Sequence, residues 1–200
     1  MQLHGQRSWQ IRINRWMQEI DWALWLRAVE NIDVPRGGIV PGSLADAPPP
    51  SPSVPAGTDL VEGWAAWWHA LVALPSLPKP AERRPTQLAF QPPDFPGLEG
   101  WPRLQAVLRE RWEQAHAWHS ARKSAGVAVF RPDGRTSEVV AAVESALGRT
   151  ARPFELDIVL LPVSDMDIRQ VGGTTHLVPE QVYASPTWTA WLREQVQQLA

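Results

Sequence analysis

The stretch that most constrains this chain is residues 100–123, GWPRLQAVLRERWEQAHAWHSARK. Gly100 and Pro102 mark its start, because a proline in the first turn of a helix gives up only an N–H that would be unpaired there. Leu104, Val107, Leu108, Trp112, Ala115 and Trp118 then recur at steps of three and four. That is the pattern of an amphipathic helix with one buried face.

The same helix carries most of the side chains able to do chemistry. Glu113, His116 and His119 follow one another at i, i+3 and i+6, stepping round the axis by about 60° to form a slanting ridge. A Glu-x-x-His pair is one way for a helix to present two ligands to a metal, and two histidines can face one ion. A di-metal bundle needs a second such pair, and the chain has none. The ordinary reading is a solvated helix face, with His119 half-buried beside Trp112. Arg103, Arg109, Arg111, Arg122 and Lys123 against Glu110 and Glu113 leave this helix with a net charge of +3.

Two hundred residues suffice for a domain with a real core. The absence of cysteine removes disulfides, thiolate metal sites and cysteine nucleophiles, and it fits a reducing cytoplasm. The first ten residues have no continuous apolar core, so a secretory leader is not expected, and no run approaches the ~20 apolar residues of a spanning helix. A net charge of −2 gives no general attraction to nucleic acid or anionic lipid. Twelve tryptophans against one tyrosine and four phenylalanines are unusual. Most fall on the apolar sides of expected helices, which points to core or protein interface rather than stacking platforms. Twenty prolines in an Ala- and Arg-heavy chain suggest a bacterial gene of high GC content.

Three regions follow from the pattern. Residues 1–34 are expected to hold a Trp-rich helix over 8–31, capped by Ser8. One stripe is Ile13, Trp16, Met17, Ile20, Leu24 and Ala28. A second is Trp22, Trp25, Leu26 and Val29. Such a helix wants burial on more than one side, within its own domain or against another protein. Residues 35–58 read as a Pro-rich flexible linker, with APPPSPSVPAG at its centre. Residues 59–200 read as an α+β domain. It begins with a helix over 59–73, where Leu60, Trp64, Trp67 and Leu71 share a stripe, and prolines 75, 78 and 80 end it. After the central helix, Val127 to Phe130 reads as a strand and the RPDG that follows as a turn. Then come a helix from Thr136 to Leu147 stopped by Gly148, a strand over 154–163, a hairpin to a strand at 174–178, and a helix over 186–199. The C-terminal order is thus β-α-β-β-α. A small, mainly antiparallel sheet with helices on one face satisfies it, Pro179 placing the last strand near an edge.

No phosphate-binding loop, dinucleotide fingerprint, zincin motif or nucleophile elbow is present. The Asp165/Asp167 pair lacks the rest of a calcium loop. Residues 154–200 carry a net charge of −4, opposite to the central helix. The expectation is a non-catalytic, cytoplasmic bacterial protein that binds another protein, as an adaptor or a subunit of a larger complex, with no cofactor. Its contact surface would be Trp16, Ile20, Trp22, Trp25, Leu26 and Val29. The alternative is a hydrolase in which Glu113, His116 and His119 hold a divalent metal, with Asp157 or His176 completing the site. Nucleic acid and membrane are disfavoured as partners.

Overall fold

Residues 10–14, Gln-Ile-Arg-Ile-Asn, alternate polar and apolar side chains with the period of a strand, and they form one. The structure, a computed structural model, describes residues 9–35, 37–51, 55–74, 80–129 and 134–200, and of 80–84 the backbone only. Strand β1 (Gln10–Asn14) is followed by helices α1 (Gln18–Val29), α2 (Thr58–Ala73), α3 (Pro80–Ala89), α4 (Pro102–Val129) and α5 (Arg135–Leu147). Strands β2 (Glu155–Leu161), β3 (Arg169–Gly172) and β4 (Thr175–Pro179) come next, then the single turn α6 (Glu180–Tyr183) and helix α7 (Pro186–Leu199). The class is α+β, with seven α-helices and one four-stranded sheet among the described residues.

The sheet order is β1-β2-β4-β3. β1 and β4 both run parallel to β2, and only the β3–β4 hairpin is antiparallel. The sheet is therefore mixed, not mainly antiparallel. β4 lies in its interior, and Pro179 takes the last ladder position rather than an edge. The cause is the N-terminal segment. Ile11 and Ile13 sit opposite Leu156 and Ile158, so β1 joins the sheet beside β2. The expected Val127–Phe130 strand is helical as far as it is described: α4 continues to Val129, its backbone bonds met within the helix, and Val127 and Val129 stand exposed. Ser8, Phe130 and the turn at 131–133 lie outside the described residues.

The single expected helix over 8–31 is thus a strand and a shorter helix. Trp16 separates them with a φ of 52°, a left-handed conformation that interrupts helix and strand alike.

Alternation along β2 divides the interior in two. Leu156, Ile158 and Leu160 join Val178 in a core with α5 and α7, around Val140, Trp188, Leu192 and Val196. Val159 and Leu161 face the other way with Leu177, into a larger core with α1, α2 and α4. Helices cover both faces, not one, and β2 is buried on both sides beyond Glu155. α1 is the innermost helix. It packs on α2 and α4, and Ile20 to Leu26 are all buried. Nearby, the Trp64 and Trp68 rings stack at 5.5 Å. The Trp64 indole donates to the Ala23 carbonyl (2.7 Å) and the Trp68 indole to that of Ile39 (2.9 Å).

The expected linker is tied down wherever it is described. Val34, Val40 and Leu44 are buried, and Leu44 bridges Val163 beyond the end of β2. Ala45 N–H donates to the Pro162 carbonyl (2.8 Å), Ser164 N–H to Ser43 (2.9 Å) and Ser51 N–H to Val29 (2.7 Å). Gly42 N–H donates to Asp165, whose carboxylate also takes both guanidinium arms of Arg169 (3.0 and 2.9 Å). Burial works against that charge, yet the bonds from Arg169 and Gly42 hold the Asp165 carboxyl below its ordinary value. Residues 37–51 are a strap across the larger core; residues 36 and 52–54, and prolines 75 and 78 after α2, lie outside the described residues.

Candidate functional site

The three parallel strands end at the same edge of the sheet. There the chain leaves β1 at Arg15 and Trp16 toward α1 on one face, and leaves β4 at Glu180 toward α7 on the other. A parallel sheet whose connections part to opposite faces opens a crevice at its carboxyl edge, the usual place for a ligand. A cleft of about 390 Å³ lies here. Its lining includes Arg15, Trp16, Arg122, Gly126, Arg135, Glu180 and Tyr183.

Each side chain is placed by a local feature. The Trp16 indole rests on Gly126 of α4, where an added Cβ would come within 2.6 Å of the ring. Only glycine permits that approach. The strained Trp16 backbone is therefore held by packing, and bulky residues in that conformation concentrate at functional sites. Tyr183, at the end of α6, is flanked by two cations. The guanidinium carbon of Arg15 lies 4.6 Å from the ring centroid and that of Arg135 4.9 Å. Arg135, the first residue of α5, also donates to the Tyr183 carbonyl (3.1 Å).

Arg122 reaches the cleft from α4 and is anchored from behind. It donates to Asp21 Oδ2 (2.9 Å) and pairs with Glu180. Asp21, on α1, is 1% exposed, and the same oxygen takes a 2.7 Å bond from His119 Nδ1. A carboxylate only accepts, so Nδ1 carries the proton. Asp21, His119, Arg122 and Glu180 form a continuous chain from the larger core to the carboxyl edge. Its inner members are buried polar groups kept in place by their pairing.

The expected metal ridge does not converge. His119 is turned inward to Asp21, while Glu113 and His116 are exposed. Asp157 lies directly opposite Arg12 across the β1–β2 pair and accepts its Nε (2.6 Å) and one terminal nitrogen (2.8 Å). Hydrogen bonding to Asp157, joined by Glu155, raises the Arg12 pKa further above its usual range despite burial. His176 faces the opposite layer, edge-on to Trp191 at 5.0 Å. Among the described residues no group of three or more His, Asp or Glu side chains is placed to hold a metal ion.

The six residues expected to contact a partner divide. Ile20, Trp22, Trp25, Leu26 and Val29 are buried in the larger core, so α1 presents no free apolar face. Trp16 lines the cleft instead. Arg15, Arg135, Glu180, Tyr183 and Asp21 were not singled out from the sequence. The usable signal was the alternation of residues 10–14, which would have set Arg15 and Trp16 at a strand's carboxyl end. Among the described residues no helix is long and apolar enough to cross a membrane. No protein-family model matches this chain, and no curated protein or solved structure matches it either.

Proposed function

We propose that this protein binds a small anionic ligand at the carboxyl edge of β1, β2 and β4. The observation that carries the reading is the convergence of Arg15, Arg122 and Arg135 on one cleft, against a single lining carboxylate among the described residues, Glu180. Guanidinium groups offer forked donors that match carboxylate or phosphate oxygens and give the stronger, charge-assisted hydrogen bonds. The positive end of the α5 dipole adds to the same field. The lining contains no Ser, Thr, Cys or His among the described residues, so the reading is binding rather than covalent or acid–base catalysis. Glu180 already sits against Arg122 and competes with an incoming anion.

Isothermal titration with inorganic phosphate and with acetate tests this. Binding of at least one anion is expected, weakened about tenfold or more in Arg135→Ala, the loss of one charge-assisted contact. Glu180→Gln is expected to tighten it by about threefold or more, since Asp21 still holds Arg122. Equal affinity in the wild-type protein and an Arg15→Ala/Arg135→Ala double variant would overturn the reading.

A second reading keeps the role of adaptor or complex subunit. Its support moves from α1 to the exposed Val127 and Val129 at the end of α4, 54% and 77% exposed. Removing residues 1–34 would not test it, because that deletion takes away β1 and α1. The test is capture of a partner from the native host by the wild-type chain and not by a Val127→Asp/Val129→Asp variant.

A further inference from the structure

The arginine cleft has a neighbour. A cavity of about 580 Å³ lies between the strap, α4 and the segment after β2. Leu44, Trp118, Ala121, Ala125, Pro162 and Val163 give it mostly apolar walls, with Asp46 and Gln181 also on its lining. Arg122 and Glu180 line this cavity and the arginine cleft alike.

Helix geometry explains the arrangement. On α4, residues 118, 121, 122 and 125 fall at i, i+3, i+4 and i+7, one face of a helix. Residues 122, 126 and 129 occupy the adjoining face and line the cleft. Arg122 stands at the seam, and it and its ion-pair partner Glu180 lie on the lining of both spaces, so one ligand can extend from the cleft into the cavity past them. Small residues at 121 and 125 leave the volume open, and the Trp118 indole walls it. Ligand sites are commonly this combination, an apolar chamber with a few charged groups at one end that fix orientation.

The geometry points to an amphipathic acid as the occupant, with its carboxylate or phosphate head among Arg15, Arg122 and Arg135 and its apolar body over Trp118, Ala121 and Ala125. This rests on the anion-binding reading and names its ligand class. The charge asymmetry of the two linings sets the direction. Among the described residues the cleft offers the head three cations against Glu180, whereas the charged residue that only the cavity adds is Asp46, which would repel it.

Titration calorimetry with straight-chain carboxylates, butanoate to decanoate and all below their micelle concentrations, tests the inference, with octanol as the uncharged control. Each added methylene is expected to tighten binding by about threefold to fourfold, the ratio for burying one such group, until the cavity is filled. Ala125→Leu fills the cavity from α4. It is expected to flatten the chain-length dependence, so that octanoate loses most of its advantage over butanoate. Ala45→Leu does the same from the strap, should Ala125→Leu disturb folding in a thermal melt. Arg135→Ala is expected to weaken every acid by a common factor. Octanol binding as tightly as octanoate would overturn the assignment of the head group. Equal affinities for butanoate and octanoate, both weakened by Arg135→Ala, would overturn the apolar chamber and leave the anion cleft standing. No binding of any acid or of phosphate would remove both.

Discussion

The two sides of the sheet are built on different principles. The layer of α5 and α7 is a nearly uniform apolar core, in which Trp188 packs against Tyr183 and Trp191 at ring distances of 5.0 and 5.2 Å. The layer of α1, α2 and α4 is larger, holds most of the buried tryptophans, and is threaded by the Asp21–His119–Arg122 chain. Apolar packing is non-directional and tolerates many arrangements. A buried carboxylate with two donors on one oxygen does not, because each bond lost leaves a charge without solvent. The layer with the polar chain is also the one that orients a side chain, Arg122, into the cleft. Directional bonds hold that one side chain in a fixed direction, and undirected packing suffices elsewhere.

The largest test of that contrast is Asp21→Ala. It strands His119 and Arg122 in the larger core and is expected to lower unfolding stability by about 3–5 kcal/mol in denaturant titrations. Anion affinity should fall with it, since Arg122 loses its rear anchor. A loss below about 1 kcal/mol would mean the chain contributes little to either layer.

Gly42→Ala probes the strap that closes the larger layer. An added Cβ would lie 2.6 Å from Asp165 Oδ2, so either the Gly42–Asp165 bond or the Asp165–Arg169 pair must yield. The expected cost is about 1–3 kcal/mol, with faster proteolysis inside residues 37–51. An unchanged cleavage pattern would show that the strap is held by its other bonds alone.

A pair of conservative changes compares the layers directly. Trp64 donates its indole N–H to Ala23, whereas Trp188 Nε1 is buried with no hydrogen-bond partner among the described residues. Trp64→Phe is therefore expected to cost about 1 kcal/mol more than Trp188→Phe, the worth of one hydrogen bond, by chemical denaturation. Equal costs would mean that packing volume alone governs both sites.

The smallest effect concerns His176, the buried histidine of the apolar layer. Burial against Trp191 lowers its pKa below the usual value, more than its backbone bond to Thr174 raises it, and Nδ1 has no partner among the described residues. The folded state thus favours the neutral ring, while the unfolded chain takes up a proton near pH 6.5. Its contribution to stability is full above about pH 6.5 and declines as pH falls from there toward the depressed folded value. Denaturant midpoints measured from pH 7.5 to 5.5 should show this decline, and His176→Leu should flatten it. A midpoint that rises on acidification would contradict the assignment.

Signals carried by near neighbours in the chain were legible. Gly148 ends α5 in a left-handed conformation, with φ 65°, as a glycine after a helical stripe implies. Gly173 turns the β3–β4 hairpin at φ 49°. The alternation of Leu156, Ile158 and Leu160 gave their common face, and Pro186 opens α7 after Ser185. Each depends on the backbone preferences of a few adjacent residues. So did the α+β class, since helical and strand periodicities are local.

Tertiary structure alone decided the rest. Residues 10–14 are a strand because Asp157, 145 positions away from Arg12, offers a partner at the matching register. The Pro-rich segment is a strap because Pro162 and Ser164 are there to bond it, although its composition taken alone favours an unbound chain. The cleft assembles Arg15, Arg122 and Arg135 from a strand end, the last third of one helix and the start of another. No spacing in the sequence encodes that meeting, because hydrogen-bond ladders and close packing join residues by distance in space, whereas periodicity records only distance along the chain.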